Sequence, residues 1–99
     1  MADGKVFSVD EIRQMVLPLL EKYGLRGARL FGSYARGDAD AASYIDLVID
    51  GGEYFRSLNV YALAEELRER ANKNVDSSEL SELSSGSFRD TVLGEAIAL

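Results

Sequence analysis

The stretch from Phe31 to Asp50 limits most strongly what this 99-residue chain can fold into. It reads Phe-Gly-Ser-Tyr-Ala-Arg-Gly-Asp-Ala-Asp-Ala-Ala-Ser-Tyr-Ile-Asp-Leu-Val-Ile-Asp and joins a Gly-Ser turn to a strand pattern that carries an acidic residue. Glycine lets the backbone approach a ligand closely, and a helix beginning at Ser33 would offer free N–H groups to an anion. The pair Gly32-Ser33 alone favours an ordinary strand-to-helix turn with Ser33 as the N-cap, and the phosphate-binding interpretation gains weight only from the residues that follow.

Asp46 interrupts an apolar strand pattern that we predict for residues 44–50. Alternation with a period of two predicts one apolar face, made of Ile45, Leu47 and Ile49. The other face then carries Tyr44, Asp46, Val48 and Asp50. Aspartate is unfavourable inside strands, and a buried carboxylate is costly unless it is paired or bound to a metal ion. The alternative is a solvent-exposed strand face, which Asp50 on the same face supports.

A second acidic residue, Asp76, follows Val75 in a third short strand that we predict for residues 74–77. If the two strands are neighbours, Asp46 and Asp76 can point at one metal ion. The alternative for Asp76 is a turn or helix cap before Ser77, which the sequence alone slightly favours. Arg36 has two open interpretations, a salt bridge that holds its loop or a contact to a phosphate.

Tyr44 stands where a second carboxylate would complete a metal site with Asp46. Two carboxylates at positions i and i+2 on one strand face are close enough to share metal ions, which can activate an attacking hydroxyl and stabilise a leaving pyrophosphate. A phenol has a pKa near 10, so Tyr44 is neutral at pH 7 and a weak ligand for magnesium. Asp50 lies about 13 Å further along the strand and cannot easily replace it. The sequence therefore predicts phosphoryl chemistry with an incomplete metal site.

The composition restricts the ligands and partners of such a site. The chain has no cysteine and no histidine, so a metal ion must be held by oxygen atoms, which favours magnesium, manganese or calcium. The net charge of −6 makes strong direct binding to nucleic acid an unlikely function, because such binding depends on basic patches. No apolar run approaches the roughly 20 residues needed to cross a bilayer. We expect one domain, residues 1–99, in the cytoplasm and without a membrane segment.

Helical and strand patterns alternate along the chain and predict an α/β (α+β) domain. Ser8 and Glu11 have the spacing of a capping box at a helix start, and Pro18 should kink or split that helix. A second helix is predicted from Ser57 to Ala71 with an apolar stripe made of Leu58, Tyr61, Ala64, Leu67 and Ala71. A closing helix is predicted from the spacing of Phe88, Val92 and Ala96.

The long motif resembles the signature of the nucleotidyltransferases related to DNA polymerase beta, and within them the minimal nucleotidyltransferases. Gly32-Ser33 is followed by residues 34–43 and then by the two acidic positions, 44 and 46, of which the first is Tyr44. The resemblance covers nearly the whole chain, since Val75-Asp76 resembles the third acidic strand of the family and residues 88–99 its closing helix. It implies the nucleotidyltransferase fold, a small mixed β-sheet flanked by helices.

The resemblance also implies a function, the transfer of a nucleoside monophosphate from a nucleoside triphosphate such as ATP with magnesium. Gly32, Ser33 and Arg36 would bind the nucleotide, while Asp46 and Asp76 would be the catalytic and metal-binding carboxylates. Because Tyr44 departs from the family pattern, we expect weak or lost transfer and an antitoxin-like subunit that binds a HEPN-domain protein. The alternative is an active magnesium-dependent protein adenylyltransferase that modifies a HEPN-type partner. A domain this small has little area for an acceptor, so we expect a homodimer or a heteromeric complex.

Overall fold

The computed structural model describes residues 5–53, 56–83 and 86–99, with the side chains of residues 87 and 88 left out. The helices are α1 (Val9–Lys22), α2 (Ser33–Arg36), α3 (Ser57–Ala71) and α4 (Ser87–Glu95), with a 3-10 turn at Leu80–Glu82. The strands are β1 (Gly27–Phe31), β2 (Ile45–Asp50), β3 (Val75–Glu79) and β4 (Ile97–Ala98).

The four strands form one mixed sheet in the order β3-β2-β1-β4. Strand β1 lies between β2 and β4 and is antiparallel to both. Strands β2 and β3 are parallel, with α3 as the connection between them. A parallel pair needs such a crossover, because a tight turn cannot return the chain to the same end of the sheet. The architecture is the predicted α/β fold with a small mixed sheet.

One face of the sheet carries the hydrophobic core. The face residues of β2 that alternation predicts, Ile45, Leu47 and Ile49, are fully buried. They pack in one cluster with residues of α1 and α3, namely Ile12, Val16, Leu19, Leu20, Val60, Leu63, Leu67 and Ala71. Each fully buried Leu or Ile side chain contributes roughly 1.5–3 kcal/mol through removal of apolar surface from water. Both long helices therefore cover this face, and Asp46 lies on the other one.

Helix α1 begins at the predicted capping box. The Ser8 hydroxyl accepts the Glu11 backbone N–H at 3.0 Å, and the Glu11 carboxylate accepts the Ser8 N–H at 2.8 Å. Pro18 lies inside this helix, which continues to Lys22. The helix is thus not split, although a proline cannot donate the backbone hydrogen bond that other residues donate at such a position.

The buried stripe of α3 differs from the predicted one. Ala64, Leu67 and Ala71 are buried as expected, but Leu58 is 72% and Tyr61 61% exposed. Val60 and Leu63 take their places in the core. The prediction was wrong by part of a helical turn, because both sets repeat at spacings of three to four residues and only tertiary contacts decide between them.

The end of the chain also differs from the prediction. Helix α4 ends at Glu95, and Ala96 is its C-cap rather than a helical residue. Strand β4 follows and pairs with β1, as Arg29 opposes Ala98 and Leu30 opposes Ile97. The predicted helical contact of Phe88 lies outside the described side chains. No helix in the described ranges is long and apolar enough to span a bilayer.

Glu79 fixes the far ends of the two parallel strands. Its buried carboxylate accepts the backbone N–H of Gly51, just after β2, at 3.1 Å and that of Ser81 at 2.7 Å. Burial by itself raises the pKa of Glu79, but hydrogen bonds from Ser81 and Gly51 outweigh it and lower the pKa below its usual value. The charged carboxylate therefore holds β2 and β3 in the register on which the site depends.

Candidate nucleotide and metal site

Asp46 and Asp76 occupy paired positions on the neighbouring parallel strands β2 and β3. The pairing begins next to them, where the Ile45 N–H donates to the Asn74 carbonyl at 3.0 Å. Asp76 is exposed and Asp46 half-buried. Asp76 is therefore a strand residue and not the turn or helix cap that the sequence slightly favoured. Paired positions in a ladder place the two side chains on the same face of the sheet.

Gly32 leaves the space that the Asp46 carboxylate occupies. A Cβ at position 32 would collide with Oδ2 of Asp46 and would come within 3.2 Å of its Cγ. The backbone of Gly32 has φ 74° and ψ −150°, a region that is open essentially to glycine alone. The turn and the acidic strand are thus in direct contact, as Phe31 in β1 opposes Asp46 in β2.

Ser33 is the first residue of the one-turn helix α2, and Gly32 is its N-cap. The interpretation of Ser33 as the N-cap was therefore wrong. The Ser33 carbonyl closes the turn by accepting the N–H groups of Gly37 at 3.0 Å and Asp38 at 3.1 Å. Ser33 itself is half-buried and directly follows Gly32, which is in contact with Asp46.

Burial and a neighbouring charge perturb Asp46. Loss of solvent raises its pKa above the usual value, and the negative charge of Asp76 raises it further, whereas the Arg36 guanidinium lowers it. Arg36 is exposed and also pairs with Asp38, with Nε 3.4 Å from the carboxylate. The structure thus shows the loop ion pair expected of Arg36, and a contact of Arg36 to a phosphate stays a prediction.

Tyr44 lies just before β2 and not within it, which shortens the predicted strand by one residue. It is 51% exposed and lines a cavity of about 540 Å³ between the loop before β2 and the end of α3. Within residues 5–53, 56–83 and 86–99, no three acidic side chains cluster closely enough to hold a metal ion. The described acidic groups of the site are the pair formed by Asp46 and Asp76.

The pair nevertheless has the chemistry of a magnesium site. Both groups supply oxygen ligands, which magnesium prefers. The carboxylate of Asp76 raises the pKa of Asp46 in the absence of a cation. A bound cation would reverse that repulsion and favour both charged forms.

Nothing in the sequence pattern marks Lys73, which is buried beside the site. It donates to the backbone carbonyls of Ala41 at 3.0 Å and Lys5 at 3.2 Å. Because both acceptors are backbone atoms 32 and 68 residues away, no residue spacing could reveal these contacts. The only local signal is a lysine between a helix end and a strand, which is typical of an exposed residue.

Residues 14–99 match the protein family described as polymerase beta, nucleotidyltransferase. The chain is 33% identical over 90 residues to MJ0435 of Methanocaldococcus jannaschii, which is named, provisionally, as a protein adenylyltransferase; the match spans 91% of this chain and 96% of that protein. It is 37% identical over 79 residues to the protein adenylyltransferase MntA of Thermococcus cleftensis, spanning 80% of this chain and 79% of that one.

Solved structures agree with the sequence relatives. A structure described, again provisionally, as a minimal nucleotidyltransferase superposes with a TM-score of 0.80 at 31% identity, covering 97% of this chain and all of that one. A toxin–antitoxin crystal structure with AMP-PNP superposes with a TM-score of 0.62 at 26% identity, covering 72% of this chain and 59% of that chain. The sequence match over residues 14–99 and the shared fold show that this chain belongs to the polymerase beta-type nucleotidyltransferase family, among the minimal nucleotidyltransferases.

Proposed function

We propose that this chain is a minimal nucleotidyltransferase-type subunit that binds a nucleoside triphosphate, in the first place ATP, and has weak or no transfer activity. The observation that carries the proposal is the pairing of Asp46 with Asp76 directly against Gly32. This pairing places two carboxylates on one face of the sheet. They lie next to a Gly-Ser turn, a type of turn that can bind phosphate. Tyr44, at the remaining acidic position of the motif, is the reason to expect weak transfer.

Asp46 and Asp76 are the residues that would hold magnesium in this proposal. Magnesium at this pair would neutralise phosphate charge and stabilise a leaving pyrophosphate. Gly32 keeps the backbone close to the carboxylate of Asp46, so a phosphate can approach both. The Ser33 hydroxyl would donate to a phosphate oxygen, and Arg36 would add positive charge on the open side of the turn.

The loss of one carboxylate lowers catalysis more than it lowers binding. Phosphoryl transfer depends on metal ions and positioning, and little covalent chemistry is left to other groups of the protein. A neutral phenol at position 44 neither ligates magnesium well nor accepts a proton from an attacking hydroxyl at neutral pH. A nucleotide can still be held by Asp46, Asp76 and the Gly32-Ser33 turn.

The proposed biological role is an antitoxin-like subunit that binds a HEPN-type protein in the cytoplasm. Support comes from the toxin–antitoxin complex with AMP-PNP among the solved structures of this fold. The exposed side chains of Leu58 and Tyr61 on α3 offer an apolar contact surface to another chain. A homodimer through the same surface is the other form of association that we expect.

A second function has its own support. Both sequence relatives described above are named as protein adenylyltransferases. An active enzyme of this kind would transfer AMP from ATP to an acceptor hydroxyl of the partner and release pyrophosphate, with the hydroxyl proton lost to solvent. It would require another group to take over the role of the carboxylate missing at position 44.

One experiment separates the two functions. The purified chain is incubated with α-labelled ATP, magnesium and a HEPN-domain partner, and Asp46→Ala serves as the control. Our proposal predicts magnesium-dependent ATP retention without label on either protein above the control. Label on the partner well above the Asp46→Ala level would instead establish the active adenylyltransferase.

A further inference from the structure

Lys73 is a buried cation at the point where the parts of the candidate site meet. The residue is 9% exposed, and its ammonium donates to the Ala41 and Lys5 carbonyls at 3.0 and 3.2 Å. It lies 5.8 Å from the centre of the Tyr34 ring. No carboxylate in the part of the chain that the structure describes forms an ion pair with it.

Burial of the Lys73 ammonium group costs free energy, because the group loses its contacts with water. Burying an ammonium without a counter-ion is unfavourable unless hydrogen bonds and an aromatic face offset the loss of water. The hydrogen bonds of Lys73 to the two carbonyls and its position over the Tyr34 ring supply that compensation. The arrangement therefore links backbone segments that lie far apart in the sequence.

Apart from the segment at Lys5, before α1, those segments adjoin the candidate site. Ala41 belongs to the loop that runs from α2 to Asp46 in β2. Tyr34 is the residue after Ser33 in α2. Lys73 itself precedes Asp76 by three positions, in the link between α3 and β3. One ammonium thus contacts the neighbour of the serine, the loop before one carboxylate and, through its own backbone, the strand of the other.

Among the described residues, Ala39 connects the loop to the hydrophobic core, and strand pairing begins directly after the loop at Ile45. The loop's own hydrogen bonds are local, since the Ser43 hydroxyl accepts the Asp40 N–H at 2.9 Å and the Asp40 carboxylate accepts the Ala42 N–H at 2.9 Å. These bonds shape the turn but do not fix it against the sheet. The bond from Lys73 to Ala41 joins this turn to the segment before β3.

We propose that Lys73 is a positioning residue for nucleotide binding, which fixes the 38–44 loop so that Ser33, Asp46 and Asp76 keep one arrangement. The proposal rests on the proposed function, because it assumes that these three residues hold a magnesium nucleotide. Lys73 suits the task because an ammonium offers three donors on a long stem whose methylene groups can themselves be buried.

The test compares Lys73→Met with Glu66→Gln, a control variant that also removes the charge of a hydrogen-bonded side chain. Glu66 accepts hydrogen bonds from Lys22, Tyr23 and Arg70 at 2.7–2.8 Å, all on or next to α1 and α3 and away from the site. Affinity for ATP with magnesium is measured by calorimetry well below both melting temperatures, and deuterium uptake is followed in the 38–44 loop. We expect Lys73→Met to weaken ATP binding about tenfold or more and to speed exchange in the loop, while Glu66→Gln binds within twofold of the parent.

Two results would overturn the proposal for Lys73, and a third would refute the proposed function. Unchanged ATP affinity in folded Lys73→Met overturns the proposal, and so does an equal loss of affinity in Glu66→Gln at the same loss of stability. If Lys73→Met does not fold, Lys73→Gln keeps an N–H donor group and should show at least a threefold loss. A parent chain that does not bind ATP with magnesium refutes the proposed function itself, which is a separate result.

Discussion

Gly32 and Asp46 are in direct contact, and the carboxylate Oδ2 of Asp46 fills the place that a side chain at position 32 would need. This contact joins the turn before α2 to the strand β2 at the level where β2 also pairs with β3. The motif therefore requires glycine at position 32 for two reasons. Its backbone conformation is open essentially to glycine alone, and a Cβ would collide with the Asp46 carboxylate. A phosphate bound at the turn would meet the carboxylate at this same contact.

Replacing Gly32 should disrupt the site more than the fold. Gly32→Ala introduces strain of about 1–3 kcal/mol at a glycine-only conformation and displaces the Asp46 carboxylate. Gly37→Ala is the matched control, because Gly37 also has a positive φ, 86°, but open space around an added Cβ. We expect both to lower the melting temperature and only Gly32→Ala to abolish ATP binding in calorimetry. Equal ATP affinity in the two variants would show that the contact has no functional role.

Asp46 should make stability depend on pH in a defined direction. Its pKa in the folded state is raised above the ordinary 3.8, by burial first and by Asp76 second. The protonated form is thus favoured on folding, so its stabilisation is complete below pH 3.8 and is lost as pH rises through the raised pKa. Asp46→Asn should unfold at a higher temperature than the parent at pH 7, and the difference should shrink towards pH 3.

Magnesium provides the internal control for this pH prediction. A cation at the Asp46–Asp76 pair favours the charged forms, so magnesium should stabilise the parent at pH 7 and leave Asp46→Asn nearly unchanged. Thermal melts in magnesium and in EDTA measure both effects. An equal magnesium shift in the two proteins would mean that the cation binds elsewhere.

Association should depend on the exposed apolar residues of α3. Leu58→Ser combined with Tyr61→Ser removes two side chains that are 72% and 61% exposed, so stability should change by no more than about 0.5 kcal/mol. Leu17→Ser on α1 is the control, since Leu17 is also an exposed apolar residue. Sedimentation velocity, alone and with a HEPN-domain partner, should show weakened association only for the α3 variant.

The sequence predicted helices and strands well where they depend on interactions between residues close together in the chain. The Ser8–Glu11 capping box was confirmed because both of its hydrogen bonds lie within four residues. The alternation in β2 correctly predicted that Ile45, Leu47 and Ile49 form its core face, although Val48 on the other face is buried as well. The long Gly-Ser motif predicted the fold as a whole, and the structural match confirmed it.

Predictions from the sequence were wrong or incomplete where contacts between distant residues determine the structure. Several apolar stripes are possible on α3, and packing against α1 and the sheet selected the one with Val60 and Leu63. Strand β4 is too short to carry a pattern of its own and exists because β1 has a free edge. Asp76 could be placed in a strand only after its pairing with Asp46 was known. Lys73 contacts backbone atoms of distant segments, and the residue types of those segments do not indicate such contacts.

The most direct test of this account is the magnesium response of Tyr44→Asp. Position 44 is two residues before Asp46, so an aspartate there restores the acidic pair of the motif and adds a third carboxylate to the site. Like charges at this range repel unless a cation offsets them. Tyr44→Asn is the control, with a similar size and no charge.

Melting temperature and ATP binding are measured for the parent and for both position 44 variants as magnesium is raised. The account predicts that Tyr44→Asp binds ATP with magnesium more tightly than the parent or gains transfer, and that magnesium stabilises it more than the parent. At a free magnesium concentration 100 times the Kd, that stabilisation reaches about 2.7 kcal/mol. Identical magnesium responses in the parent, Tyr44→Asp and Tyr44→Asn would contradict it, because position 44 would then not be the missing ligand.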